Sequence, residues 1–283
     1  MSTVLTIAGS DSSGGAGIQA DLKTISANGG YGLCVLTAVT AQNTKTVTAA
    51  FALPVDVIEA QFAALFDDFE IHAAKSGMLA DHERVAVVAA CMRRYRPPHY
   101  VLDPVMISTS GFPLLVADAV SAMREELLPL AALVTPNVHE AQMFAGMDIR
   151  TVADAVEAGR RILDLGPQAV LVKGGHLEEQ PGTDVLVSHD GAEVIEGEYL
   201  DSRNTHGTGC TLSAAIATHL ADGVDLSTAV HRAKQYLTEA IRYGPVLGQG
   251  VRPTDHFFML RHTTVHSDTP RPLGHVMHEE AAR

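Results

Sequence analysis

Short apolar segments alternate with segments of helical periodicity along most of the chain. Strand-like runs lie at residues 4–8, 32–39, 72–75, 100–102, 133–135 and 169–172. Helical patterns lie at residues 16–28, 55–66, 82–95, 117–128, 138–144, 152–165, 211–221 and 226–242. This alternation predicts an α/β fold, in which a mostly parallel central sheet is covered by helices on both faces.

The regular alternation ends near residue 184. Residues 184–189 and 192–198 are strand-like and flank Asp190-Gly191, which favours a two-residue hairpin turn. We therefore expect an antiparallel hairpin at one edge of the sheet. No linker or internal repeat divides the chain, so we expect a single domain over residues 1–260. Residues 261–283 lack periodicity, and we expect them to form a flexible tail.

Charge and composition exclude several classes of protein. The net charge of -13 and the aromatic content of 5% disfavour nucleic-acid binding, which usually requires basic surfaces and stacking rings. The three cysteines form no metal-binding or disulfide pattern, which is typical of a reducing cytoplasm. The apolar runs are too short for a membrane span, and the first residues lack the basic and apolar regions of a signal peptide.

A glycine-rich turn precedes the helical pattern at residues 211–221. Residues 204–211 read Asn-Thr-His-Gly-Thr-Gly-Cys-Thr. A turn that leads directly into a helix directs several backbone N–H groups and the positive end of the helix dipole toward one point, which favours a phosphate. Cys210 at this helix start is expected to have a lowered pKa. The alternative is a glycine-rich loop whose cysteine is simply buried.

A second glycine cluster follows the first strand. Residues 15–20 fit the dinucleotide-binding pattern GxGxxG/A between a strand and a helix. That pattern also requires an acidic residue about 20 positions later, which binds the ribose. After Asp21 the next carboxylate is Asp56, and the second strand ends without an acid. We therefore expect this cluster to shape a substrate pocket instead of binding NAD.

Polar side chains follow several strands of the predicted sheet. Gln42 presents an acceptor and a donor side by side, which suits the edge of an aromatic heterocycle. Asp103 lies where a magnesium-linked carboxylate is common in open α/β sheets, and Asn137 and Glu140 repeat the arrangement one strand later. Lys173 is a candidate phosphate contact. The alternatives are a surface amide for Gln42, and turn formation or helix capping for Asp103, Asn137 and Glu140.

Taken together, these segments resemble the hydroxymethylpyrimidine kinase / hydroxymethylpyrimidine phosphate kinase family of the ribokinase-like superfamily. The resemblance spans roughly residues 1–260 and rests on residues 8–23, 40–44, 75–78, 102–106, 135–137, 173–176 and 204–211. It implies a ribokinase-like fold with three α/β/α layers. One departure is Ser76, where the family pattern has an apolar residue.

The resemblance also implies roles for individual residues. The pyrimidine is expected to be held by Gln42, with help from Gly9, Asp21, Met78 and Val105. The anion hole would be formed by Gly207, Thr208 and Gly209, and Cys210 would take the position of a catalytic base. Mg²⁺ is expected near Asp103 and Glu140, and the nucleotide near Asn137, Lys173 and Lys234.

The function that the resemblance implies is an ATP- and Mg²⁺-dependent kinase of thiamine biosynthesis. It would phosphorylate 4-amino-5-hydroxymethyl-2-methylpyrimidine to the monophosphate and then to the pyrophosphate. Two alternatives stay open, a pyridoxine or pyridoxal kinase of the same branch and a non-catalytic pyrimidine-binding regulatory protein. The resemblance further implies a homodimer.

Overall fold

The computed structural model describes residues 1–107, 111–112, 114, 117–175, 177 and 179–262. The strands are β1 (Thr3–Asp11), β2 (Tyr31–Gln42), β3 (Val47–Ala52), β4 (Ala73–Ser76), β5 (Tyr100–Leu102), β6 (Leu133–Val134), β7 (Ala169–Val172), β8 (Asp184–Ser188) and β9 (Gly191–Ile195). The helices are α1 (Gly17–Ala27), α2 (Val55–Asp68), α3 (His82–Tyr95), α4 (Ala117–Ala122), α5 (Val138–Ala145), α6 (Val152–Leu163), α7 (Thr208–Ala221), α8 (Leu226–Arg242) and α9 (Phe258–His262). His176 and residues 263–283 of the expected tail lie outside the described residues.

The strands form one sheet in the order β3-β2-β1-β4-β5-β6-β7-β8-β9. The six strands from β2 to β7 in this order run parallel, which confirms the predicted mostly parallel sheet. The predicted hairpin is also confirmed, since β8 and β9 pair antiparallel through Asp190 and Gly191 next to β7.

Apolar side chains are buried on both faces of the sheet. In β1, Leu5 and Ile7 point into a core with Phe62 of α2 and Val88 of α3. Val4 points the other way, into a core built largely from α7 and α8. Because successive side chains of a strand alternate in direction, a strand covered on both faces needs a continuous apolar run. This arrangement is the predicted three-layer α/β/α fold.

Strand β3 was not predicted. It pairs antiparallel with the end of β2 and forms one edge of the sheet. Most of its side chains are exposed, so its sequence lacks the apolar alternation of a half-buried strand. The pairing depends on the preceding strand and not on a pattern within residues 47–52.

The predicted helix at residues 117–128 is regular only in its first part. After α4 the chain forms a π-helical turn at Met123–Leu127 and a 3-10 turn at Leu128–Leu130. Pro129 accounts for the end of the regular helix, because proline lacks the N–H donor that would continue the helical hydrogen bonds.

Candidate active site

A cleft of about 770 Å³ lies at the carboxyl ends of the parallel strands. Its walls come from the ends of β1 and β2 and from the residues that follow β5, β6 and β7. All predicted site residues except Asp21 line it: Gly9, Gln42, Met78, Asp103, Val105, Asn137, Glu140, Lys173, Gly207, Thr208, Gly209, Cys210 and Lys234. The fold therefore brings together side chains that are far apart in the sequence, as expected for open α/β sheets.

The glycine turn, residues 207–210, leads directly into α7. The helix begins at Thr208, three residues earlier than predicted, so that Gly209 and Cys210 lie in its first turn. Gly207 has a positive φ of 84°, and a Cβ at this position would lie 1.9 Å from the carbonyl oxygen of Gly15. The N–H groups of a first helical turn have no acceptor within the helix, so they are available to an anion in the cleft.

The thiol of Cys210 does not have the lowered pKa that its helix position predicts. Burial raises its pKa to about 11, and the carboxylates of Asp21 and Asp103 act in the same direction. Lys75 and a hydrogen bond from the backbone N–H of Gly17 oppose this shift but do not overcome it. The prediction of a lowered pKa was wrong, because burial of the thiol outweighs the effect of its helix position. At neutral pH Cys210 is a protonated thiol.

Asp103 and Lys173 form an ion pair beside the glycine turn. Lys173 Nζ lies 2.8 Å from Asp103 Oδ1, and the hydroxyl of Thr135 donates to the same oxygen at 3.2 Å. Burial favours the neutral carboxyl group, but Lys173 and Lys75 outweigh it and lower the pKa of Asp103. An ionised carboxylate and an ammonium group therefore face the same part of the cleft, where charged phosphates would be recognised.

Asn137 and Glu140 form a capping box at the start of α5. The Asn137 side chain accepts from the N–H of Glu140 at 2.9 Å, and Glu140 Oε2 accepts from the N–H of Asn137 at 2.8 Å. The capping alternative for these residues is therefore what the structure shows, although both also line the cleft. Burial raises the pKa of Glu140 to about 7. This carboxyl group would be charged more readily beside a cation.

The acidic residues of the cleft match the coordination preferences of Mg²⁺ only when a nucleotide supplies further oxygens. Among the residues that the structure describes, no group of three His, Cys, Asp or Glu side chains could hold a metal ion. Mg²⁺ usually keeps several waters and binds through one or two carboxylates together with substrate phosphates. Asp103 and Glu140 fit that donor set, in which the nucleotide supplies the remaining oxygens.

Asp21 lies outside the cleft, although a pyrimidine contact was expected of it. Its carboxylate is fully buried, pairs with Lys75 Nζ at 2.9 Å and accepts from the hydroxyl of Thr6 at 2.6 Å. Burial disfavours the charged ammonium, but the adjacent carboxylate raises the pKa of Lys75. The sequence predicted no role for Lys75. A charged lysine within a buried apolar strand was the feature that could have indicated its ion pair. Asp21 could therefore affect a bound pyrimidine only indirectly, through the residues that separate it from the cleft.

Gln42, Gly9 and Met78 all line the cleft. Its Oε1 accepts from the hydroxyl of Thr40 at 3.1 Å, which orients the amide nitrogen away from that residue. A Cβ on Gly9 would approach the sulfur of Met78 to 2.9 Å, so a larger residue at position 9 would have to displace the Met78 side chain. The cleft therefore offers both a polar amide and apolar side-chain atoms, which suits the edge and face of a heterocycle.

Lys234 lines the cleft, but its ammonium group already has partners. Nζ lies 2.5 Å from Asp184 Oδ2 and donates to the carbonyl of Gly182 at 2.7 Å. The other oxygen of Asp184 accepts from the N–H of Gly174, which follows Lys173. Lys234 therefore holds the segment after β7 in place in addition to facing the space expected for the nucleotide.

Ser76, the departure from the family pattern, points into the core. Its hydroxyl lies 2.6 Å from the phenol oxygen of Tyr100, and both residues are buried. The two polar groups satisfy each other, so Ser76 shapes the packing between β4 and β5 and not the cleft wall.

Comparisons with known proteins agree on one family. A family described as phosphomethylpyrimidine kinase matches residues 11–255. The hydroxymethylpyrimidine/phosphomethylpyrimidine kinase of Rhizobium meliloti (strain 1021) is 50% identical over 258 residues, which cover 89% of this chain and 96% of that protein. Phosphomethylpyrimidine kinase from Clostridium difficile 630 has a TM-score of 0.78 and 46% identity, covering 85% of this chain and 100% of that one. Pyridoxal kinase from Staphylococcus aureus in complex with AMP-PCP and pyridoxal has a TM-score of 0.85 and 33% identity, covering 93% and 96%.

Proposed function

The chain belongs to the phosphomethylpyrimidine kinase family, and from this premise we propose how its cleft phosphorylates a hydroxymethylpyrimidine. The protein is a kinase of thiamine biosynthesis with a ribokinase-like fold. Its substrate is 4-amino-5-hydroxymethyl-2-methylpyrimidine, and its second substrate is the resulting monophosphate. The observation that carries the proposal is that Gln42, the Asp103–Lys173 pair and the glycine turn share one cleft.

Gln42, Gly9, Met78 and Val105 hold the pyrimidine, and the glycine turn receives the transferred phosphoryl group. Phosphoryl transfer proceeds through a loose transition state, so positioning and charge stabilisation supply most of the catalysis. The N–H groups of Gly209 and Cys210 neutralise charge on the transferred group, and Lys173 does so from the side of Asp103. Asn137 and Lys234 bound the space for ATP.

Cys210 orients the attacking hydroxyl in the first step. A thiol with a pKa of about 11 is a hydrogen-bonding group at neutral pH and not a free base. In the second step the attacking group is an anionic phosphate, which needs no base. The second step therefore depends more on the glycine turn than on the thiol.

Mg²⁺ would be held by the carboxylates of Asp103 and Glu140 together with the phosphates of the nucleotide. It would supply positive charge that neutralises the phosphate oxygens during transfer. Activity should disappear when the metal is chelated and return when Mg²⁺ is added. ATP hydrolysis and pyrimidine phosphorylation that both persist in a chelator would contradict this part of the proposal.

A pyridoxal kinase activity is the second candidate, because the Staphylococcus aureus neighbour was solved with pyridoxal. The two functions can be separated by incubating the enzyme with ATP and either heterocycle. Mass spectrometry then counts phosphates on each product. A pyrimidine carrying two phosphates is expected. Conversion of pyridoxal without conversion of the pyrimidine would replace the proposal, and conversion of neither would favour a non-catalytic binding protein.

We propose that the protein is a homodimer, because an edge strand exposes apolar side chains, and that it is cytoplasmic, because its cysteines are free thiols. Edge strand β3 exposes Phe51, which is 67% accessible, next to exposed Val39 of β2. An apolar edge of this kind favours pairing with another chain. Cys34, Cys91 and Cys210 are free thiols, as in a reducing compartment. Within the described residues no helix has both the length and the apolar character to cross a membrane. Light scattering on the wild type and on Phe51→Glu would test the dimer.

A further inference from the structure

His206 connects three parts of the cleft that the sequence places far apart. Its Nε2 lies 2.8 Å from Asp11 Oδ2 at the end of β1. The same nitrogen lies 3.5 Å from the amide nitrogen of Gln42 and 3.4 Å from the hydroxyl of Ser13. His206 also directly precedes Gly207, the N-cap of α7.

Asp11 is the anchor of this contact. Its carboxylate also accepts from the backbone N–H of Ser13 at 2.8 Å and of Ala16 at 2.9 Å, so it fixes the loop between β1 and α1. Burial raises the pKa of Asp11, but the hydrogen bonds from His206 and Ser13 outweigh it and lower the pKa. The carboxylate is therefore ionised and can only accept hydrogen bonds.

The ionised state of Asp11 determines which hydrogen bonds His206 can make with its neighbours Asp11 and Gln42. Because Asp11 can only accept, Nε2 of His206 must carry a hydrogen and donate it to Asp11. The same nitrogen then cannot accept from the Gln42 amide. Since Oε1 of Gln42 is taken by Thr40, the amide N–H groups stay available for a ligand.

The backbone around His206 has little freedom. A Cβ on Gly15 would lie 2.4 Å from Cδ2 of the imidazole, so the ring packs directly on the loop. A Cβ on Gly207 would lie 1.9 Å from the carbonyl oxygen of Gly15. The N–H of His206 donates to the carbonyl of Arg252 at 3.0 Å. Movement of the imidazole would therefore displace the start of the glycine turn.

We infer that His206 is a positioning residue: its bond to Asp11 holds the loop after β1 against the start of the glycine turn, and it leaves the amide N–H groups of the adjacent Gln42 available to the ligand. It thereby couples recognition of the heterocycle to the placement of the phosphoryl-accepting amides. The inference rests on the proposed function of Gln42 and the glycine turn, and it assigns no proton transfer to the imidazole.

The test compares His206→Ala with His206→Gln, because a glutamine can still donate an amide N–H to Asp11. In His206→Ala we expect the KM for the pyrimidine to rise about tenfold and kcat to fall by a similar factor, as for the loss of one buried hydrogen bond. The KM for ATP should stay within about twofold, since the contacts of His206 lie at the pyrimidine end. His206→Gln should recover most of both losses.

A matched control is His256→Gln. His256 is also buried, and it contacts Thr211 and Thr254 and not Gln42. The control should change thermal stability without changing the KM for the pyrimidine. Equal increases in both KM values in His206→Ala would overturn the inference, as would an unchanged KM for the pyrimidine. A His206→Gln enzyme as inactive as His206→Ala would also overturn it and assign an acid–base role.

Failure of the proposed function is distinguishable from failure of this inference. The wild-type enzyme is first tested with the pyrimidine and with pyridoxal, and the variants are then compared on the heterocycle that the wild type converts. A wild type that leaves the pyrimidine unchanged rejects the proposed substrate. A wild type that converts it, with an unchanged KM in His206→Ala, rejects only the positioning role.

Discussion

Gly207 and Gly15 approach each other so closely that a Cβ on Gly207 would lie 1.9 Å from the carbonyl oxygen of Gly15. The contact joins the loop after β1 to the start of α7, and Gly207 holds it with a φ of 84°. Two glycine-rich segments that lie about 190 residues apart in the chain thus form one structure.

Gly207→Ala should therefore abolish transfer. An alanine at positive φ is strained by about 1–3 kcal/mol, and here it also meets a backbone oxygen that cannot move easily. Gly223→Ala is the matched control, because Gly223 has a similar φ of 77° but nothing within 4 Å. We expect the control to lose stability and keep its kcat. Comparable kcat values for the two variants would argue against the glycine turn as the anion site.

Gln42→Leu should weaken binding of the pyrimidine and leave ATP binding intact. Leucine has a similar size but leaves the polar edge of the ligand without a partner, which costs about 1–3 kcal/mol. Calorimetry with each ligand measures the difference. Gln61→Leu serves as a control, because the Gln61 amide binds the backbone of Leu36 outside the cleft. Unchanged pyrimidine affinity in a folded Gln42→Leu protein would exclude Gln42 from the pocket.

Cys210→Ala should slow the first phosphorylation more than the second. Because the thiol is protonated at neutral pH, its loss removes a hydrogen bond, and we expect a decrease of about 5- to 10-fold. The loss of a general base would typically cost about 10²–10⁴-fold. Single-turnover rates for each step give the comparison. A decrease of the larger size confined to the first step would restore the role of Cys210 as a base.

The protonation of Cys210 can also be tested by alkylation. The thiolate is the species that reacts, so a thiol with a pKa of about 11 should react slowly near pH 7. Peptide mass spectrometry after iodoacetamide treatment identifies the modified residue. We expect little modification of Cys210 at pH 7 and a rising rate at higher pH. Rapid modification at pH 7 would show that the helix start lowers the pKa after all.

His256 should make the protein sensitive to mild acid. Burial lowers its pKa from 6.5 to about 4, so between these pH values the unfolded chain binds more protons than the folded one. Stability is therefore lost as the pH falls through this window, by up to about 3 kcal/mol.

Urea unfolding at pH 7 and pH 4.5 measures this effect. His256→Gln should reduce the difference between the two pH values. His231→Gln is the control, because His231 is exposed beside Glu193. An unchanged pH dependence in His256→Gln would assign the acid sensitivity to other groups.

The sequence alone determined the layered α/β fold and most of the cleft. Strands β5 and β7 and helices α3 and α8 match their predicted bounds, because buried strands are short apolar runs and these helices have strong periodicity. The hairpin was readable from Asp190-Gly191 for the same local reason. Strand β3 could not be predicted in this way, because an exposed edge strand has no apolar pattern and forms only by pairing with its neighbour β2.

Only the tertiary structure decided the state of the charged groups. The pKa of Cys210 was predicted from its helix position to be lowered, but burial of the thiol raises it, and the charges of Asp21 and Asp103 add to this shift. Asp21 itself was expected at the substrate and instead pairs with Lys75 beneath the cleft. His206 belongs to the glycine-rich segment at residues 204–211, but its contact with Asp11 could not be predicted, because the two residues are 195 positions apart in the chain. Burial and long-range charge pairing depend on three-dimensional proximity, which no local sequence pattern encodes.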